Sequence, residues 1–166
     1  MACPRRIMPE VVAATCVDPV ERGETTVNDC VFCRILADRS KAAIVHEDDA
    51  TLAFMDPRQA NEGHLLVIPK LHVETVWDMD EETASALFRV VPKIAQALRS
   101  ALNLSGMSIW QSNGRAGSQE VPHVHVHLMP RHVGDGLLRV YPARVENAAR
   151  EQLDAVADRI RKALPA

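Results

Sequence analysis

The sequence predicts an α+β domain: an antiparallel sheet of about five strands, one long central helix and a C-terminal helix. Three observations carry this. Short strand-like runs are joined by turn residues in the manner of hairpins. A single long helical period lies among them, an order that favours α+β over alternating βαβ units. The run His123-Val124-His125-Val126-His127-Leu128-Met129-Pro130 alternates polar and apolar residues, which predicts a strand with one face against a core.

Residues 1–28 contain three prolines and one glycine without a sustained period, and are expected to form an unstructured arm. The domain is expected over residues 29–166. Asp29 is the expected N-cap of a short helix through Phe32, Ile35 and Leu36 that ends near Asp38-Arg39-Ser40. Ala43 to Glu47 and Thr51 to Met55 read as a hairpin turned by Asp48-Asp49. After a loop from Asp56-Pro57 to Gly63, His64-Leu65-Leu66-Val67-Ile68-Pro69 is apolar enough for a strand covered on parts of both faces.

Asp80-Glu81-Glu82 opens the long helix, where acids suit the dipole, and Leu87, Val90, Val91, Ile94, Ala95 and Leu98 form its apolar face. Pro92 is expected to interrupt and kink it. Met107 to Gln111 is the next strand, Ser112 to Gln119 a polar loop, and Val121 to Met129 the histidine strand. Val145 to Leu164 is amphipathic through Leu153, Val156, Ile160 and Leu164, hence the C-terminal helix.

Three imidazoles on one strand face carry a chemical implication. Successive side chains on that face lie about 7 Å apart, so the rings can converge on one small anion. Six ring nitrogens buried together require partners unless something binds there. Two readings follow: a strand-borne metal site, or phosphate chemistry in which a neutral imidazole is the nucleophile and its neighbours donate hydrogen bonds. Cys30-Val31-Phe32-Cys33 adds a metal pair or a redox pair.

With 166 residues, 47% hydrophobic and 25% charged, the chain has the composition of one soluble domain. A net charge of −3 argues against broad nucleic-acid backbone binding and leaves a single nucleotide open. No apolar run approaches the roughly 18 residues of a membrane span, and the N-terminus does not read as a signal peptide, so a cytoplasmic location is expected.

The histidine run, preceded by Asn113-Gly114, by Gln119-Glu120-Val121 and by Gly63-His64-Leu65-Leu66-Val67-Ile68-Pro69-Lys70, resembles the histidine triad (HIT) superfamily. Cys30-Val31-Phe32-Cys33-Arg34-Ile35 resembles the opening of its bacterial Hint-type branch. The resemblance covers about Asp29 to Arg131. It implies a HIT-like fold and nucleotide hydrolysis or transfer through a covalent nucleotidyl-histidine, with a nucleoside phosphoramidate or related adenylylated compound as substrate. His125 matches the nucleophile, and His127 the donor to a phosphoryl oxygen. His123 is the first triad member, and His64 the outlying histidine that assists. Asn113, Ser118 and Gln119 match further phosphate contacts, Phe32, Ile35 and Phe54 the purine pocket, and Asp56 the acid that binds ribose hydroxyls. For Phe32, Ile35 and Phe54, plain core packing is an equal reading.

The same resemblance assigns Cys30, Cys33, His72 and His123 to a structural Zn²⁺, and a homodimer formed across the helix and an edge strand. Ser118 stands where a glycine is common, and Glu120 where some members have a serine that helps the leaving group, which opens the leaving-group preference. The alternatives are a dinucleoside polyphosphate hydrolase of the fragile-histidine-triad type, a nucleotide-binding regulatory protein with little turnover, and a metal enzyme using His123, His125 and His127 together.

Overall fold

The computed structural model describes residues 29–137 and 147–165, so the arm expected over 1–28 and the expected helix start at Val145 lie outside the described residues. Five antiparallel strands form one sheet: β1 (Ile44–Glu47), β2 (Thr51–Met55), β3 (Leu65–Pro69), β4 (Gly106–Trp110) and β5 (Val126–Arg131), in the order β1-β2-β3-β5-β4. The helices are α1 (Val31–Ala37), α2 (Glu81–Leu102) and α3 (Arg150–Ala163). The α+β architecture expected from the sequence, a five-stranded antiparallel sheet with a long central helix, is the one observed.

The β1–β2 hairpin turns where expected, because Asp48 Oδ1 accepts from the amides of Ala50 and Thr51 and from the Thr51 hydroxyl. β3 is buried at all five positions, since β2 and β5 flank it and helices cover parts of both faces. On one face Leu65, Val67, Val126 and Leu128 pack against Leu87, Val90, Ile94 and Leu98 of α2. On the other, Phe54, Leu66 and Ile68 pack against Phe32 and Ile35 of α1.

Three local expectations change. Cys30, not Asp29, is the N-cap of α1; its side chain makes no capping bond because the thiol is buried toward His123. Helix α2, capped by Asp80 on the Thr83 amide at 2.7 Å, runs through Pro92 without interruption. Pro92 removes the amide that would bond the Phe88 carbonyl, and Phe88 is on the solvent side, where water can serve that oxygen.

The third change concerns the histidine strand. Ladder pairing starts only at Val126, opposite Val67. Upstream, the Val124 amide donates to the Val73 carbonyl at 2.7 Å, because the chain leaving β3 after Pro69 turns away from the sheet. The alternation of sides survives: Val124, Val126 and Leu128 face α2, while the three histidines face the opposite way.

Gly63 sits at φ +94°, and a Cβ there would run into the Leu102 side chain and approach the Pro130 ring. This close approach seats the loop that delivers His64. α3 is amphipathic as expected, but it starts at Arg150 and contains no buried residue.

Candidate active site and metal centre

A cavity of about 780 Å³ opens beside β5. Its apolar wall is Phe32 and Ile35 from α1 with Phe54 and Leu66 from the sheet; its polar wall holds Asp56, His64, Ser112, Ser118, His125 and His127. Phe32, Ile35 and Phe54 belong to a packed core cluster and also line the cavity.

The three triad histidines do not converge on one point. His123, fully buried, turns away from the cavity toward Cys30 and Cys33. His125 Nδ1 lies 2.7 Å from the His123 carbonyl, which can only accept, so the proton is on Nδ1 and Nε2 carries the lone pair. No described residue hydrogen-bonds Nε2. Phe32 packs edge-on against the His125 ring at 5.2 Å and fixes its plane.

His127 belongs to a relay that runs the same way. The Arg58 carbonyl accepts from His64 Nδ1 at 3.0 Å, which makes His64 Nε2 the acceptor for His127 Nδ1–H, also at 3.0 Å. His127 Nε2 is therefore bare while the ring is neutral. Trp110, paired with His127 across β4 and β5, stacks on its ring at 4.2 Å and 3°. His127 Nε2 can thus act as a donor only after the ring gains a proton, which the sequence alone did not indicate.

Burial also keeps these rings neutral. Desolvation lowers the His125 pKa and takes that of His127 to about 4, with the neighbouring His125 and His64 rings adding to the effect on His127. An anionic phosphoryl group beside His127 would draw its pKa back up. A consequence is testable as a pH profile. An unfolded imidazole takes up a proton near 6.5, whereas His127 in the fold resists until about 4, so stability is full above 6.5 and declines as pH falls through that window. Thermal melts from pH 8 to 4 should show this decline, and replacing His127 with Gln should make it shallower without abolishing it, because His123 and His125 are depressed as well.

Cys30, Cys33, His72 and His123 each aim one donor atom at a common centre, all within 4.8 Å of one another. Cys30 Sγ is 3.5 Å and Cys33 Sγ 3.7 Å from His123 Nδ1, and Cys33 Sγ is 3.3 Å from His72 Nδ1. Tetrahedral bonds of ordinary Zn–S and Zn–N length give sulfur–nitrogen edges of about 3.5 Å, so the four can hold such an ion. His123 Nε2 donates to the Pro69 carbonyl at 2.9 Å, which turns the Nδ1 lone pair toward the thiols. Without metal, burial and the adjacent Cys30 push the Cys33 thiol up to about 11, so metal binding must displace a proton.

Other expected site residues fall elsewhere. Asn113 and Gln119 are not among the described cavity-lining residues. Asn113 accepts from the Val76 amide at 2.8 Å, and Gln119 accepts from Gly114 and donates to the Glu74 and Val121 carbonyls, so both brace the loop. Ser118 does line the cavity, at φ 63°. That left-handed backbone explains why glycine would suit the position. Asp56 is buried; its Oδ1 accepts from the Arg58 amide at 2.7 Å and its Oδ2 lies 3.7 Å from His64 Nδ1.

Sequence reasoning missed Trp110, Ser112 and Arg58. Trp110 was accessible in principle, as the β4 residue opposite His127; Arg58 lies in a loop without a period and gave no signal.

Fold and site together define a class: an α+β domain whose alternating histidines are divided between a cavity and a cysteine–histidine cluster. The HIT domain model matches residues 38–134, and the chain belongs to the HIT family. "Protein hit" of Bacillus subtilis is 39% identical over 137 residues, covering 82% of this chain and 94% of that protein. Adenylylsulfatase HINT3 of Arabidopsis thaliana is 32% identical over 80% of this chain and 70% of its own length. Adenosine 5'-monophosphoramidase HNT1 of Saccharomyces cerevisiae is 33% identical over 69% and 71%. Among solved structures, a HIT family member from Bacillus subtilis superposes with a TM-score of 0.78 at 37% identity, covering 83% of this chain and 99% of that one. A Zn-bound histidine triad family protein from Mycobacterium smegmatis gives 0.61 at 33% identity, covering 82% and 99%.

Proposed function

We propose that this protein is a nucleotide hydrolase or transferase that cleaves a nucleoside phosphoramidate, or a related adenylylated compound, at the α-phosphate through a covalent intermediate on His125. The observation that carries the reading is the bond from His125 Nδ1 to the His123 carbonyl, which leaves Nε2 as a lone pair on the cavity wall. The names of the Arabidopsis and yeast relatives, an adenylylsulfatase and an adenosine monophosphoramidase, agree with it.

In this reading the purine lies against Phe32, Ile35 and Phe54, and Asp56 Oδ2 accepts from the ribose hydroxyls. His125 Nε2 attacks phosphorus, the bond to the amine nitrogen breaks, and the amine leaves with a proton taken from solvent, which the attacking water of the second step returns. Water then attacks the same phosphorus, the phosphorus–Nε2 bond breaks, and nucleoside monophosphate departs with the imidazole restored. One water is consumed. Splitting one displacement into two is the advantage of the covalent step. His127, protonated when the anionic substrate arrives, stabilises the phosphoryl oxygens and is held by His64 and Trp110.

The reading includes a Zn²⁺ held by Cys30, Cys33, His72 and His123. Four protein donors fill a tetrahedral shell, so the ion would act as a structural crosslink between α1 and the triad segment. The zinc-bound Mycobacterium relative supports it. It also includes a cytoplasmic homodimer, for which Phe88 on α2 and Ile109 on the edge strand β4 offer exposed apolar contacts.

The test is a rapid quench. Protein mixed with a slowly hydrolysed adenosine phosphoramidate and stopped early should show, by mass spectrometry, an adenylyl group on the peptide containing His125. Neither adduct nor released nucleotide in the wild type would shift the assignment to a binding role.

A further inference from the structure

The reaction above asks His127 to carry a proton, and its hydrogen bonds do little to hold one. The relay from His127 Nδ1 through His64 ends on the Arg58 carbonyl, so both of its acceptors are neutral. Among the described residues no carboxylate hydrogen-bonds the His127 ring. The charged and titratable groups around it oppose one another. Asp56, whose Oδ2 lies 3.7 Å from His64 Nδ1, favours the proton. Burial opposes it most, and His125 on β5 with His64 and Arg58 from the loop between β2 and β3 oppose it too.

Trp110 supplies a different kind of contact. It stands directly opposite His127 across the β4–β5 ladder, and the two rings stack with centroids 4.2 Å apart and planes at 3°. A face-to-face stack leaves the imidazole edge clear, so Nδ1 still reaches His64 while Nε2 stays bare. His64 lies nearly parallel to both rings, 5.3 Å from His127 at 20° and 5.7 Å from Trp110 at 23°. An indole face is the negative end of its ring quadrupole. A neutral imidazole gains only packing from that face, whereas an imidazolium gains packing and an electrostatic attraction. The stack therefore distinguishes the two protonation states, in the direction opposite to burial. Core packing alone would accept any apolar side chain here, and Trp110 is only half-buried, at the cavity wall.

We propose, building on the hydrolase reading, that Trp110 is a positioning residue whose indole face stabilises protonated His127 and so supplies the donor for the phosphoryl oxygens. The proton enters from solvent at Nε2 when the anionic substrate binds. Nδ1 keeps its bond to His64 throughout. The proton returns to solvent when the monophosphate leaves, so none is consumed.

The test is an NMR pH titration of the His127 ring in the wild type, Trp110→Phe and Trp110→Leu, each free and with adenosine monophosphate. The pH dependence of kcat on adenosine 5'-phosphoramidate is measured beside it. Trp110→Leu should lower the proton affinity of His127 about three- to thirtyfold, the worth of a cation over an indole face. Trp110→Phe keeps a ring with a weaker face and should lower it less, which decides the matter even where Trp110→Leu does not fold. Because the protonated ring is the donor, activity falls as pH rises through the bound pKa, and this alkaline limb should move to lower pH by the same factor. Lost packing alone would lower kcat at every pH and leave the limb in place. An unchanged titration in the variants that fold, or equal shifts in Phe and Leu, would overturn the role of the indole and leave the hydrolase reading intact. A wild type that turns over no phosphoramidate would overturn the hydrolase reading, and with it this role in the reaction, whatever the titration shows.

Discussion

His125→Ala is expected to lose at least about 10⁴-fold in kcat on an adenosine phosphoramidate while still binding adenosine monophosphate. The separation of effects follows from geometry. In the proposed mechanism the nucleophilic Nε2 belongs to His125 alone, whereas the apolar cavity wall comes from Phe32, Ile35 and Phe54 on other elements. Truncating a ring in contact with Phe32 at 5.2 Å also opens space in the wall, so some loss of affinity is expected, but far less than the loss of turnover. Single-turnover kinetics and calorimetric titration with the monophosphate measure the two terms separately. A variant that keeps more than about one hundredth of the wild-type kcat would rule out a nucleotidyl-His125 intermediate.

The second large effect is expected at the metal centre. Wild-type protein purified without chelator should carry one zinc per chain by elemental analysis, and Cys33→Ser should carry none. If zinc is present at about a thousand times its dissociation constant, its loss removes about 4 kcal/mol of stability. For a domain of this size that corresponds to a fall of about 10 °C in the melting temperature. The Cys33 thiol, pushed up to about 11 without metal, must give up its proton on binding, so zinc affinity should weaken as pH falls. Turnover should fall in Cys33→Ser as well, because His123 connects the two sites: its ring faces the thiols and its carbonyl holds His125 Nδ1. A zinc-free wild type with the same melting temperature as Cys33→Ser would dismiss the metal centre.

How much of this was legible depends on the range of the interaction responsible. Helix α2, the β1–β2 hairpin and β3 were readable because their signals lie within a few residues: the Asp80 cap, the Asp48 turn, an unbroken apolar run. The four candidate cysteine and histidine ligands were readable through resemblance, and the fold brings their donor atoms within 4.8 Å of one another. The histidine strand was half legible. Alternation correctly placed the valines and histidines on opposite sides, but it could not show that pairing stops at Val126, because pairing depends on where β3 ends.

By itself, then, the sequence determined the order of elements, the face each histidine occupies and the residues available for chemistry, since side-chain periodicity is a local property of the backbone. Only the tertiary structure decided which partner each histidine meets. Cys30 and His123 are separated by 93 residues, His64 and His127 by 63, and Arg58 and Glu120 by 62. Which imidazole nitrogen keeps its proton is set by the carbonyl or ring it meets in the packed core: Pro69 for His123, the His123 backbone for His125, His64 for His127. Those partners are chosen by how the sheet and helices close together, and no local pattern in the chain encodes them.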